Sequence, residues 1–201
     1  MQINTNRRGR VVTATLALIA FAAITMAFHF GRLRGVDLAA SQLAGRERTP
    51  TGVAIASAVS DLMLLPVVIA TIAGTLLLRR RRGEAPLLIG APLGTFLSTE
   101  LLKLLIHRPR PALAAVAIPS GFAFPSGHAS GAAATCLTLA LVLTQGQPTG
   151  RRAAWLALGV GIAVLVAASR VYLGVHYLSD VVAGLLWGSA WALHVTSRGL
   201  P

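Results

Sequence analysis

The sequence predicts an all-α polytopic membrane protein with six transmembrane helices in one bundle. Three observations lead there. Of 201 residues, 55% are hydrophobic and only 12% charged, about half the roughly 25% charge of a soluble domain. Mean hydropathy is +0.71. Apolar runs close to the ~20 residues that cross a bilayer recur along the chain. So few charges could not cover a water-facing surface, which excludes an ordinary cytosolic enzyme. Dominant apolar residues exclude disorder. Cys136 is the only cysteine, so no internal disulfide framework exists.

The expected spans follow in order. Val11 to Phe30 is the first. Arg7, Arg8 and Arg10 precede it and Arg32 and Arg34 follow, but the run is longer than a signal-peptide core and shows no clear small-residue cleavage site, so it reads as a retained helix. The second, Val53 to Leu78, is interrupted by Asp61 and Pro66, a pair expected to mark a kink or a polar contact toward a site. Pro86 to Ile106 is the third, with Glu100 and Lys103 near its end. The fourth, Ser126 to Leu143, and the fifth, Ala153 to Ala168, are short and rich in small residues, which suits close helix packing. His176 to Val195 is the sixth. His29 and His194 fall near span ends and read as interfacial. Residues 1–201 read as a single integral membrane domain.

A pI near 11.8 would point a soluble protein toward nucleic acid. Here the cations lie between apolar runs, so topology is the better reading and no nucleic-acid partner is expected. With both termini in the cytoplasm, that side holds Arg7, Arg8, Arg10, the run Arg79 to Arg82, Arg151, Arg152 and Arg198. The other side keeps Arg32, Arg34, Arg46, Arg48 and Arg108 once Lys103, Arg110 and Arg170 are assigned to a site. The loops 31–52, 107–125 and 169–175 then share the extracytoplasmic face.

Ionisable residues beside apolar segments are costly and mark candidate sites. They gather in three blocks of this chain. The first is Lys103-Leu-Leu-Ile-His-Arg-Pro-Arg110-Pro111. Lys103 is the only lysine, and it and Arg110 are suited to converge on a phosphate; the plainer reading is an interfacial anchor paired with Glu100 at i,i+3. The second is Pro125-Ser126-Gly127-His128. Ser126 is a good N-cap, the helix start offers free N–H groups to an anion, Gly127 lets the backbone approach it, and His128 is a candidate proton donor. The plainer reading is a helix start with an incidental histidine.

The third block runs from Ser169-Arg170 to His176 and Asp180. Four residues apart, His176 and Asp180 are expected to share a helix face, with the carboxylate fixing the imidazole tautomer as an activated nucleophile or base requires. Arg170 supplies a planar fork for phosphate oxygens. The plainer reading is a buried pair that ties helices together. His107 and Arg108 occupy unspecified positions and are left out of the site.

Taken together, K-x6-RP, PSGH and SR-x5-H-x3-D, with every position filled, resemble the type 2 phosphatidic acid phosphatase (PAP2) superfamily, which also contains vanadium-dependent haloperoxidases. The motifs span Lys103 to Asp180, inside a core expected over residues 86–195; the first two spans carry no family signature. The layout is similar to that of membrane-bound bacterial lipid phosphatases. The resemblance implies that His176 attacks phosphorus to form a phosphohistidine, that Asp180 orients it, and that His128 protonates the leaving oxygen. It implies phosphate binding by Lys103, Arg110, Ser126, Gly127 and Arg170. Fixed cations and a helix N-terminus supply charge stabilisation without a cofactor, and the absence of paired carboxylates for Mg²⁺ fits metal-independent chemistry.

The implied partners are a lipid phosphate and the bilayer of the inner (plasma) membrane, with the site on the periplasmic face. Phosphatidic acid, phosphatidylglycerophosphate, undecaprenyl pyrophosphate and lipid A phosphate all remain open as substrates. Two alternatives stand beside hydrolysis: a lipid phosphotransferase using the same site, and an anion transporter whose charged residues line a pathway.

Overall fold

The computed structural model describes residues 2–61, 84–112, 114, 116 and 120–200. Among these are seven helices and no strand: α1 (Gln2–His29), α2 (Arg34–Arg46), α3 (Pro50–Asp61), α4 (Ala85–Ile106), α5 (Gly127–Leu143), α6 (Thr149–Tyr172) and α7 (Leu178–Gly199). The described residues do not confirm the count of six spans. Four helices are long and apolar enough to cross a membrane, within α1, α4, α6 and α7, and α5 is a shorter apolar helix. The stretch expected to be a plain loop over 31–52 contains α2. Only the start of the expected second span is seen, as α3; residues 62–78, with Pro66, and the run Arg79 to Arg82 lie outside the described residues.

Exposure separates the helices by role. On α4, Leu93, Phe96, Leu97, Leu101, Leu104 and Leu105 are all more than half exposed. A contiguous apolar stripe of this kind suits a lipid-facing helix. In α5, by contrast, ten of 17 residues are buried, so the shortest of the apolar helices is the one enclosed by the others.

Small residues let the central pair approach. A Cβ on Gly184 would stand 2.6 Å from the Ser126 carbonyl oxygen and 3.1 Å from the Ala129 Cβ, and one on Gly188 would overlap the Ser130 carbonyl. This small-xxx-small face of α7 therefore lies directly on the backbone of α5. The pairing order, 184 against 126–130 and 188 against 130–133, makes α5 and α7 parallel, with both N-termini at one end. On the other flank of α5, a Cβ on Gly159 of α6 would stand 3.1 Å from the Cys136 carbonyl. Helix α4 is tied to α7 by the indoles of Trp187 and Trp191, which both donate to Ser98 Oγ at 3.0 Å.

The chain runs up α1, α4 and α6 to the end where α5 and α7 begin. Phe28 stacks on Phe124 and Phe21 packs against Trp187, while at the opposite end Arg10 donates to the Leu200 carbonyl. The C-termini of α1, α4 and α6 and the N-termini of α5 and α7 thus meet at one pole.

The glycine contact is testable. Gly188→Ala forces a methyl group into a backbone carbonyl, and overpacking of this kind costs about 1–3 kcal/mol. It should lower the melting temperature in detergent, whereas Gly161→Ala, with none of the described residues within 4 Å of its Cβ position, should not. Equal melting temperatures would disprove the close α5–α7 packing.

Candidate functional site

Three chain turns build the polar end of the bundle. Helix α4 stops at His107, whose left-handed backbone (φ 53°) caps the helix as its N–H donates to the Lys103 carbonyl at 3.0 Å. Pro109 and Pro111 then stiffen the strand of chain that carries Arg108 and Arg110. Ser126 is the N-cap of α5, accepting from the Ala129 N–H at 3.5 Å. The Ser126 N–H itself donates to the Asp180 carbonyl at 3.0 Å, so the starts of α5 and α7 are bonded to each other.

His176 and Asp180 do not share a helix face, contrary to the sequence expectation. Helix α7 begins at Leu178, so His176 lies in the approach to the helix and Asp180 at the third helical position. The four-residue spacing works through a cap: Asp180 Oδ2 accepts from the Tyr177 N–H at 2.8 Å, the carboxylate half of a capping box. This brings Oδ2 to 3.6 Å from His176 Nδ1. That is longer than a hydrogen bond, and Nδ1 has no other partner.

The other imidazole nitrogen meets Arg110. Arg110 Nη1 lies 3.0 Å from His176 Nε2 and donates to the Val175 carbonyl at 2.9 Å, and Nε donates to the Gly121 carbonyl at 3.1 Å. A guanidinium only donates, so Nε2 is the acceptor and the ring proton sits on Nδ1, facing Asp180. His176 is only 2% exposed. Burial pushes its pKa below the ordinary imidazole value, against a smaller upward pull from Asp180. Burial likewise lowers the Arg110 pKa, opposed by Asp180 and Glu100.

The remaining candidates surround this pair. Lys103 Nζ donates to Glu100 Oε1 at 2.6 Å, as the plainer reading expects. The same ammonium lies 3.4 Å from where a Gly127 Cβ would be, so it also stands at the α5 N-terminus. His128, the second residue of α5, feels the charges of Arg170, His176, Lys103 and Arg110. Arg170, in the last turn of α6, donates to Ser60 Oγ of α3 and feels Asp61. The hydrogen bond is that of Ser60, Asp61 adds only its charge, and Pro66, the other half of the expected pair, lies outside the described residues. Arg170 Nε is buried without a hydrogen-bond partner among the described residues. Ser126 is fully buried, its hydroxyl engaged in capping. Among the described residues no three His, Cys, Asp or Glu side chains gather as a metal ion would need.

Sequence reasoning missed Arg108 and Asp37. Arg108 Nη1 donates to Asp180 Oδ1 at 2.6 Å and to Ser179 Oγ at 2.7 Å, and Nη2 donates to Asp37 Oδ2 at 2.6 Å. Asp37 comes from α2, in what reads as a loop. One signal was present: the whole chain has only six acidic residues, so an acid in an outer segment calls for a partner.

Comparison with known proteins bears on the family and the fold. A family model described as the PAP2 superfamily matches residues 85–199. Phosphatidylglycerophosphatase B of Bacillus subtilis (strain 168) is 33% identical over 177 residues, covering 84% of this chain and 85% of the relative. Decaprenylphosphoryl-5-phosphoribose phosphatase of Mycobacterium tuberculosis is 38% identical over 138 residues, covering 65% and 70%. The crystal structure of a transmembrane PAP2 type phosphatidylglycerolphosphate phosphatase from Bacillus subtilis superposes with a TM-score of 0.83 at 28% identity, covering 92% of this chain and 95% of that one.

Proposed function

The chain belongs to the PAP2 superfamily and is a hydrolase of its phosphatase type, and from this premise we propose that it hydrolyses a phosphomonoester or pyrophosphate carried on a lipid. The reaction passes through a phosphohistidine on His176 and needs no metal. The observation that carries this reading is the Arg110–His176 contact. It places a cation whose described contacts are otherwise carbonyls on the lone pair of an unprotonated Nε2; an entering phosphate that draws Arg110 to itself frees that lone pair for in-line attack.

In the first step Nε2 bonds to phosphorus as the bond from phosphorus to the lipid oxygen breaks. The electron pair stays on that oxygen, which takes a proton from His128. His128 then accepts a proton from water as the water oxygen attacks phosphorus, the P–N bond breaks and phosphate leaves. Arg110, Arg170, Lys103 and the N–H groups at the start of α5, near Ser126 and Gly127, balance the equatorial oxygens. Asp180 keeps the proton on Nδ1.

The lipid class rests on the chemistry of the site's surroundings and on the named relatives, phosphatases of phosphatidylglycerophosphate and of a decaprenylphosphoryl sugar phosphate. A polar pole on a helical bundle with apolar flanks lets a tail stay in the bilayer while its phosphate reaches the site. We assign the whole chain to one domain, with residues 86–195 as the core that carries the motifs. We place the termini in the cytoplasm and the site on the periplasmic side of the inner membrane, as the loop-charge reading of the sequence has it.

Purified protein in mixed micelles should release phosphate from at least one member of a panel of lipid phosphates and pyrophosphates, unaffected by EDTA. His176→Ala should abolish turnover; a fully active variant would refute the phosphohistidine. His128→Ala should lose about 100-fold or more with an alkyl leaving group and much less with p-nitrophenyl phosphate, whose leaving oxygen needs no proton. Equal losses on both would remove His128 as the acid. Because burial depresses the His176 pKa, its neutral form persists as pH falls through the ordinary imidazole value of about 6.5. The acid limb of kcat/KM, which reports the free enzyme, should therefore lie below that pH once the ionisation of the substrate phosphate is divided out, and a limb at or above neutrality would contradict it.

A further inference from the structure

Arg108 stands two residues before Arg110 but makes a different set of contacts. Its guanidinium lies between two aromatic rings, 4.4 Å from the Phe28 centroid and 4.3 Å from the Tyr177 centroid. This sandwich restrains rotation of the planar fork. One end of the fork holds Asp180 Oδ1 and the other holds Asp37 Oδ2, both at 2.6 Å. Asp37 is anchored in turn: Oδ1 accepts the Ser179 N–H at 2.9 Å and Oδ2 accepts the Ser179 hydroxyl at 2.7 Å. All three charged residues are buried, Asp37 to 1%, Arg108 to 6% and Asp180 to 0% exposure.

We propose that Arg108, braced by Asp37, is a positioning residue for the reaction: it fixes the Asp180 carboxylate so that Oδ2 faces Nδ1 of His176, and it sets the charge that the carboxylate presents to the ring. The inference rests on the phosphohistidine reading above. Two anchors define the carboxylate plane, Arg108 on Oδ1 and the Tyr177 N–H on Oδ2. With both in place, Oδ2 needs only a small approach to meet Nδ1–H. The buried group of two carboxylates and one guanidinium carries one net negative charge. When Nε2 bonds to phosphorus, the imidazole ring becomes formally cationic, and that single negative charge lies beside it. Arg108 touches neither Nε2 nor the phosphate, so it acts through Asp180.

Steady-state kcat and KM of the full chain in detergent, measured on whichever lipid phosphate of the panel is turned over fastest, separate this role from a structural one. Arg108→Gln should lose about 100-fold in kcat, as misplacement of a reacting group does, while KM stays within about threefold. Arg108→Lys, which restores the charge and a donor, should recover at least about tenfold of that loss. A kcat within about twofold of wild type, a loss confined to KM, or a lysine variant no better than the glutamine one would overturn the assignment. If Arg108→Gln does not fold, Asp37→Asn decides: the amide oxygen can still accept the Ser179 N–H, but the charge is lost and an NH2 donor replaces the oxygen that accepts from Arg108, and kcat should fall about tenfold at unchanged KM. No change in kcat would overturn the assignment equally. A wild-type protein inactive on the whole panel, or a fully active His176→Ala, defeats the phosphatase mechanism itself. An active wild type with dead His176→Ala and unaffected Arg108→Gln and Asp37→Asn defeats the Arg108 role alone.

Discussion

The site depends on how closely α5 and α7 lie. Gly184 and Gly188 put the backbone of one helix on the carbonyls of Ser126 and Ser130 of the other. Because the two helices run parallel, this one contact also sets their N-termini side by side. The Ser126 N–H to Asp180 carbonyl bond follows from that register, and through it the histidine that opens α5 and the histidine that precedes α7 are held at one pole. In a bilayer no hydrophobic force draws helices together, so small residues and close packing must do it. The structural role of the glycines and the chemical role of the histidines are therefore linked by geometry.

Charge at that pole is arranged in two sets. Arg108 lies between two carboxylates, and Lys103 is paired with Glu100. Arg110 instead contacts two carbonyls and an imidazole, and Arg170 hydrogen-bonds a serine hydroxyl with its Nε buried and unpartnered among the described residues. Two helix N-termini add partial positive charge to the same place. A buried cation such as Arg170 without a carboxylate in contact is expensive in water-free surroundings, a cost that the phosphate of the proposed reaction would offset. Asp180 lies on the Nδ1 side of His176, whereas Glu100 stands with Lys103 beside the α5 N-terminus.

The three motif blocks, and the helices that carry them, were legible in the sequence because each was local. A serine before a small-residue run marks a cap, and α5 begins one residue after Ser126. The third span was placed to within a residue, since Pro86 and the His107-Arg108-Pro109 turn bound it on both sides. The fifth was underestimated: α6 extends from Thr149 to Tyr172, because Arg151, Arg152 and Arg170 end an apolar run without ending a helix. Helix α2 was invisible for the opposite reason. Its Arg34, Asp37 and Arg46 dilute the hydropathy that marks a span, and only its contact with α7 shows what the segment does. The His176–Asp180 spacing was read as one helical turn, whereas the pair straddles a helix start; spacing alone does not distinguish an i,i+4 face from a cap.

Arg108 shows why such a residue escapes a reading by motif. Its meaning depends on three segments far apart in the chain: Asp37 in α2, Phe28 at the end of α1, and Asp180 in α7. A fully buried Asp180 cannot stay ionised without partners, and leaving such a charge unpaired costs about 3–5 kcal/mol. Arginine answers that need with a fork that reaches two carboxylates at once. The second carboxylate then needs its own support, which Ser179 gives through both its N–H and its hydroxyl. One buried charge beside the histidine thus recruits an outer helix into the site. This explains how a segment without any motif of its own becomes part of the machinery that the motifs define.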